Sequence, residues 1–116
     1  MKTGVELIAD ERKRQIEELG YTIEHDSKHL TSEFALNACS YIESAMIKAY
    51  GGKTLTVEEL KNGWLWDKEA FKPKTPLKDL IRAGALIAAA IDNLMRVSNY
   101  MEQVENKTKV QDDARR

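Results

Sequence analysis

A chain of 116 residues suits a single domain, long enough to bury roughly two-thirds of the surface its unfolded form exposes and too short for two self-sufficient cores. Lysine and arginine number 18 and aspartate and glutamate 19, a formal net charge of −1. That balance offers no global basic field to nucleic acid or an anionic membrane, so any partner must be recognised by local geometry. With Cys39 alone there is no intramolecular disulfide, and the amino terminus has neither an apolar signal core nor an Arg-rich presequence, which makes a soluble cytoplasmic protein the expectation. In that compartment the Asn106-Lys107-Thr108 sequon carries no meaning.

In chain order, Val5, Ile8, Ala9, Ile16 and Leu19 recur at three- and four-residue steps and predict a first helix, with Gly20 as its left-handed end. Glu11, Arg14, Gln15 and Glu18 read as a solvated face of paired charges. Arg12 lies between Ile8 and Ile16 on the apolar stripe, so it must snorkel or reach a buried carboxylate or ligand. The next segment, Gly20 to His29, holds both histidines beside Asp26, in an expected loop. Such a neighbourhood orients an imidazole for acid-base work, and His25 with His29, four apart, would suit a metal if the segment were helical. No cysteine or metalloprotease-type glutamate accompanies them, and Asp26 and Ser27 are ordinary turn formers. No metal, cofactor or catalytic residue is therefore assigned.

A second helix is expected from Thr31 or Ser32, one of which caps it, to Tyr50, stopped by Gly51-Gly52. Its apolar stripe is Ala35, Ala38, Cys39, Ile42, Ala45, Met46 and Ala49, with Phe34 and Tyr41 at the margins. Cys39 there reads as a small core residue. Glu33, in the first turn, favours the helix dipole and is placed to reach back toward His29. After Lys53, the box Thr56-Val57-Glu58-Glu59 announces a short helix closed by Gly63. An aromatic loop follows with Trp64, Trp66 and Phe71. From Asp67 to Arg82 there are five basic and three acidic residues, the one locally basic stretch. Aromatic faces beside lysines and a helix start suit a nucleotide-like anion, although both tryptophans would also serve as lids over a small core.

The chain is organised around its last helix, expected over about residues 76–101. Thr75 caps it, Pro76 takes the first turn, and Ala83 to Ile91 contains no polar side chain. A helix apolar all round must be covered on several sides. The expected neighbours of Leu80, Ile81, Ile87, Ala88 and Ile91 are Ile8, Ile16, Ile42 and Met46. A homodimer through the small-residue face would complete the cover. The fold class is all-α, a domain over 1–105 with two other main helices, one short helix, and a charged, frayed tail at 106–116.

The run Glu11-Arg12-x-Arg14-Gln15, then Gly20-Tyr21-Thr22, Glu24-His25-Asp26 and His29, and later Lys72-Pro73 and Asp79-Leu80-Ile81-x-Ala83-Gly84-Ala85-Leu86-Ile87, resembles small phage and prophage proteins over about Leu7 to Leu94. More remotely, Ile8 to Leu30 resembles the RyR domain, the ryanodine-receptor repeat, with Tyr21 as the turn aromatic, Asp26 as its aspartate and Lys28-His29 as its basic pair. Leu30 stands where the RyR pattern has proline. The resemblance implies a compact helical module that senses nucleotide-derived ligands, and no catalytic residues. The candidate ligand-binding set is Arg12, Tyr21, His25, Asp26, His29, Trp64, Trp66, Lys72 and Arg82, where the His-Asp loop would meet the aromatic loop. Two other classes compete. A MazG-like nucleotide pyrophosphohydrolase needs carboxylates on facing helices to hold magnesium. The sole Glu-x-x-Glu is Glu102 with Glu105, and Glu-x-x-Asp is absent. A protein-binding adaptor would work through its surface alone.

Overall fold

The computed structural model describes residues 1–51 and 56–114. Among these residues are five α-helices, α1 (Gly4–Glu17), α2 (Ile23–Ser27), α3 (Thr31–Tyr50), α4 (Val57–Gly63) and α5 (Pro76–Ala114), with one 3₁₀ turn at Lys68–Ala70. No strand occurs among the described residues, as the all-α expectation requires. Gly52 and Lys53, expected just beyond α3, and Arg115 and Arg116 of the expected tail lie outside the described residues.

Local chemistry sets each boundary. The Thr3 hydroxyl accepts the Glu6 N–H at 3.3 Å while the Glu6 carboxylate accepts the Thr3 N–H at 3.1 Å, a reciprocal box that opens α1. Gly20 takes φ +76°, a left-handed turn that glycine makes without steric cost, and the chain reverses into Tyr21. The expected His-Asp loop is instead a five-residue helix, α2, capped by the Thr22 hydroxyl on the His25 N–H at 3.3 Å. At the start of α3 neither Thr31 nor Ser32 caps. Leu30 holds the cap position, its N–H taken by the Glu33 carboxylate at 2.5 Å, because the Thr31 hydroxyl is engaged by Asn93 of α5. Gly51, at φ +70°, closes α3 as anticipated. Thr56 caps α4. The far end of α4 is held by Lys68, whose ammonium donates to the carbonyls of Lys61, Asn62 and Trp64 at 2.9 to 3.0 Å.

The core lies where α3 runs antiparallel along the first half of α5: Thr31 meets Asn93 at one end and Ser44 meets Asp79 at the other. Its members include Phe34, Tyr41, Leu60, Trp64, Phe71 and Leu86. The expected stripes are turned. On α3 the buried face is Phe34, Asn37, Ala38, Tyr41, Ser44 and Ala45, whereas Ala35, Cys39, Met46 and Ala49 are exposed. On α5 it is Asp79, Ala83, Leu86, Ala90 and Asn93, while Leu80, Ile87 and Ile91 are about half exposed, as is Ile16 on α1. The cause is polar. Asn37, Ser44, Asp79 and Asn93 find partners inside, so the faces carrying them turn inward and some aliphatic side chains are left outside.

The small residues of α5 are covered within the chain rather than left for a second copy. Ala83, Ala85, Ala89 and Ala90 are buried, and α1 crosses so closely at Gly84 that a β-carbon there would sit 2.5 Å from Ile8 Cδ1. α5 does not end near Met101 or Val104 but runs to Ala114. Apolar spacing was the wrong stop signal, because the Glu, Gln and Lys of this stretch are themselves good helix formers. At 39 residues the helix is about 58 Å long, which makes it the spine of a molecule 65 Å in its longest dimension. No helix among the described residues is long and apolar enough to cross a membrane.

Candidate functional site: a basic cleft and a histidine cluster

The two loops singled out by their chemistry do meet, and their meeting divides into two compartments on either side of Tyr21. The first is an aromatic-imidazole cluster. Tyr21 stacks on His25 with ring centres 4.8 Å apart, His25 lies 4.7 Å from His29, and Trp66 packs against Tyr21, His29 and Phe34 at 5.3, 4.8 and 5.0 Å. Under it sits Asp26, fully buried. Its carboxylate accepts from Arg12 Nη2 at 3.0 Å and pairs with His25 Nδ1 at 2.8 Å, and its carbonyl accepts from Asn93 at 3.0 Å.

Arg12 thus finds the buried carboxylate that its place on the stripe demanded, although its Nε and Nη1 have no partner. These contacts tie α2 to α1 and α5. Asp26 and Arg12 leave the candidate ligand set because they pair with each other inside the domain and neither lines the cleft described next. Glu33 does reach back to His29, at 3.3 Å. Its carboxyl is held below the usual range chiefly by the Leu30 N–H, with the hydrogen bond from His29 adding to it. His25, His29 and Trp66 pack behind Tyr21 and do not line the cleft described next.

The second compartment is a cleft of about 340 Å³ between α1, the loop before α5 and the start of α5. Trp64, Tyr41 and Leu86 form its base, Tyr21 and Gln15 one side, and Arg14, Lys72, Lys74 and Arg82 its rim. The loop is fixed at several points. Asn37 Oδ1 accepts the Leu65 N–H at 2.9 Å, and the Tyr41 hydroxyl accepts the Lys72 N–H at 3.1 Å. Trp64 lies stacked on Phe71 and edge-on to Tyr41. Where the loop enters α5, buried Asp79 accepts the Lys74 N–H at 2.6 Å, the Ser44 hydroxyl at 3.0 Å and Lys48 Nζ at 3.2 Å. Arg82 donates to the Lys72 carbonyl and lies 5.9 Å from the centre of the Tyr41 ring.

Glu11 organises the rim. Its carboxylate takes both Arg14 Nε at 2.7 Å and Nη2 at 2.8 Å, accepts from Gln15 Nε2 at 3.3 Å, and lies 4.0 Å from Arg82 Nε. The hydrogen bond to Glu11 raises the Arg14 pKa above its ordinary value. Glu11 is the one acidic residue against four basic ones around the cleft, so the rim keeps an excess of positive charge. Two of its buried polar atoms have no partner: the Trp64 indole N–H and Gln15 Oε1, on side chains only 3 % exposed. An unpaired donor and an unpaired acceptor in the walls of one cleft are a costly arrangement. Burial pushes the Tyr21 phenol up to about 12, so it remains a neutral hydroxyl over the physiological range.

Of the nine candidate residues, the cleft collects Tyr21, Trp64, Lys72 and Arg82. Arg14, Gln15, Tyr41 and Lys74 were not anticipated. The signal for Gln15 was present: it lies seven residues after Ile8, two helical turns along the face that meets α5.

Glu102 and Glu105 lie exposed on the outer half of α5. Among the described residues no group of three or more His, Cys, Asp or Glu side chains is arranged to hold a metal ion. Compared with protein-family models, curated proteins and solved structures, the chain matches none of them.

Proposed function

We propose that this chain is a small helical recognition module whose cleft takes a small anionic ligand bearing an aromatic ring, the chemistry a nucleotide presents. The observation that carries the reading is a cleft rimmed by four cations, two of whose wall residues keep a polar atom without a partner, the Trp64 indole N–H and the Gln15 side-chain amide oxygen. A planar ring with adjacent acceptor and donor atoms would satisfy both, while its phosphate would lie toward Lys72, Lys74 and Arg82. Such a ligand suits the module sensing nucleotide-derived ligands that the resemblance implies, and a phage-type protein that retained it would sequester a nucleotide signal.

The reading is tested by calorimetric titration with nucleoside mono- and diphosphates. Binding in the micromolar range is expected, weakened by added salt because the rim is solvent-facing. Replacing Lys72 and Lys74 together with glutamine should reduce affinity while the helix signal persists. Failure of every nucleotide to bind at millimolar concentration would refute it.

A further inference from the structure

From Asp79 to Asn93 the inward face of α5 steps by four and three residues through Ala83, Leu86 and Ala90, under the cover of α3. The same stepping continues through Val97, Tyr100 and Val104, with Met101 beside them, beyond the point where Thr31 begins α3 opposite Asn93. With their cover gone, Val97, Tyr100, Met101 and Val104 are 49, 65, 53 and 40 % exposed. A core stripe therefore runs on into the open.

These four positions, at spacings of three, one and three, read the same in either direction, and oppositely charged residues flank them, Arg96 before and Glu105 after. We propose that two copies of this chain pair antiparallel through residues 96–105 of α5. A two-fold axis between Tyr100 and Met101 sets Val97 of one copy against Val104 of the other and Tyr100 against Met101. The same operation sets Arg96 against Glu105 twice over, so one patch complements itself, as an isologous interface requires. Arg96 stands part-buried at the edge of this patch, its Nη2 without a partner among the described residues. Where α5 leaves the body, a concave corner of about 700 Å³, bordered by Leu30, Thr31, Arg96, Val97 and Tyr100, gives the second helix somewhere to lie. The inference is independent of the cleft, which opens elsewhere on the body.

Sedimentation velocity of the full chain at tens of micromolar should give a dimer. Met101→Glu should give a monomer with unchanged helical circular dichroism. Arg96→Glu and Glu105→Arg should each weaken self-association by about tenfold, and the double variant should restore it. Ile91→Glu, on a half-exposed face outside the seam, should leave the dimer intact. A monomeric wild type, a dimer that survives Met101→Glu, or a double variant no tighter than the single ones would overturn the proposal, as would dissociation by Ile91→Glu.

Discussion

The two compartments that share Tyr21 hold groups buried to a similar depth, yet they are finished differently. Around Asp26 the carboxylate oxygens and the carbonyl each have a protein donor. Around Trp64 and Gln15 an indole N–H and an amide oxygen have none, and the residues that carry them line an open cleft. Unpaired donors occur in both, since Arg12 Nε and Nη1 and the Trp66 indole N–H also lack partners; what sets the second compartment apart is that its walls open on a cleft rimmed by cations, whereas the density of titratable side chains marked a joint between helices. Satisfied buried charge holds a fold in one arrangement; unsatisfied polarity at a cavity is an invitation to a ligand.

The largest test of this contrast removes the charge from the joint. Asp26→Ala should cost about 3–5 kcal/mol, read from urea denaturation, because it strands the Arg12 guanidinium without its carboxylate. Replacing Arg12 and Asp26 together with Met and Leu should recover much of that loss. At the crossing of α1 and α5, Gly84→Leu should cost about 1–3 kcal/mol, since the added side chain must displace Ile8. In the cleft the pattern should reverse. Gln15→Met removes an unpaired acceptor, so stability should hold while nucleotide affinity falls by about 1 kcal/mol, measured by calorimetry. His29→Ala should leave that affinity unchanged.

The smallest expected effect is a pH dependence at the α3 cap. The Glu33 carboxyl titrates below its ordinary value in the folded chain, through the Leu30 N–H and then His29. Its contribution is therefore complete above the ordinary glutamate range and is lost as pH falls through the lower folded value. Glu33→Gln should flatten this acid component of the urea midpoint without altering the rest of the curve.

The helical class, the glycine ends at Gly20 and Gly51, the Thr56 cap and the Arg12 search for a buried carboxylate were legible from spacing and capping chemistry alone. The facing of α3 and α5 was not. Hydropathy ranks Met46 and Ile91 above Asn37 and Asp79, but those polar residues are buried because distant parts of the chain, the Leu65 and Lys74 amides, arrive to pair with them. The site was half legible for the same reason. Trp64, Lys72 and Arg82 announced themselves by composition, while Arg14 and Gln15 looked like solvated surface until Glu11 gathered them at the rim.

The most direct measurement of the central claim is a nucleoside diphosphate titration followed by the indole N–H resonances, of which the two tryptophans supply one each. The Trp64 resonance should move downfield as its unpaired N–H gains an acceptor, while that of Trp66, packed behind Tyr21, stays in place. Movement of Trp66 alone, or of neither resonance at millimolar nucleotide, would contradict the assignment of the cleft.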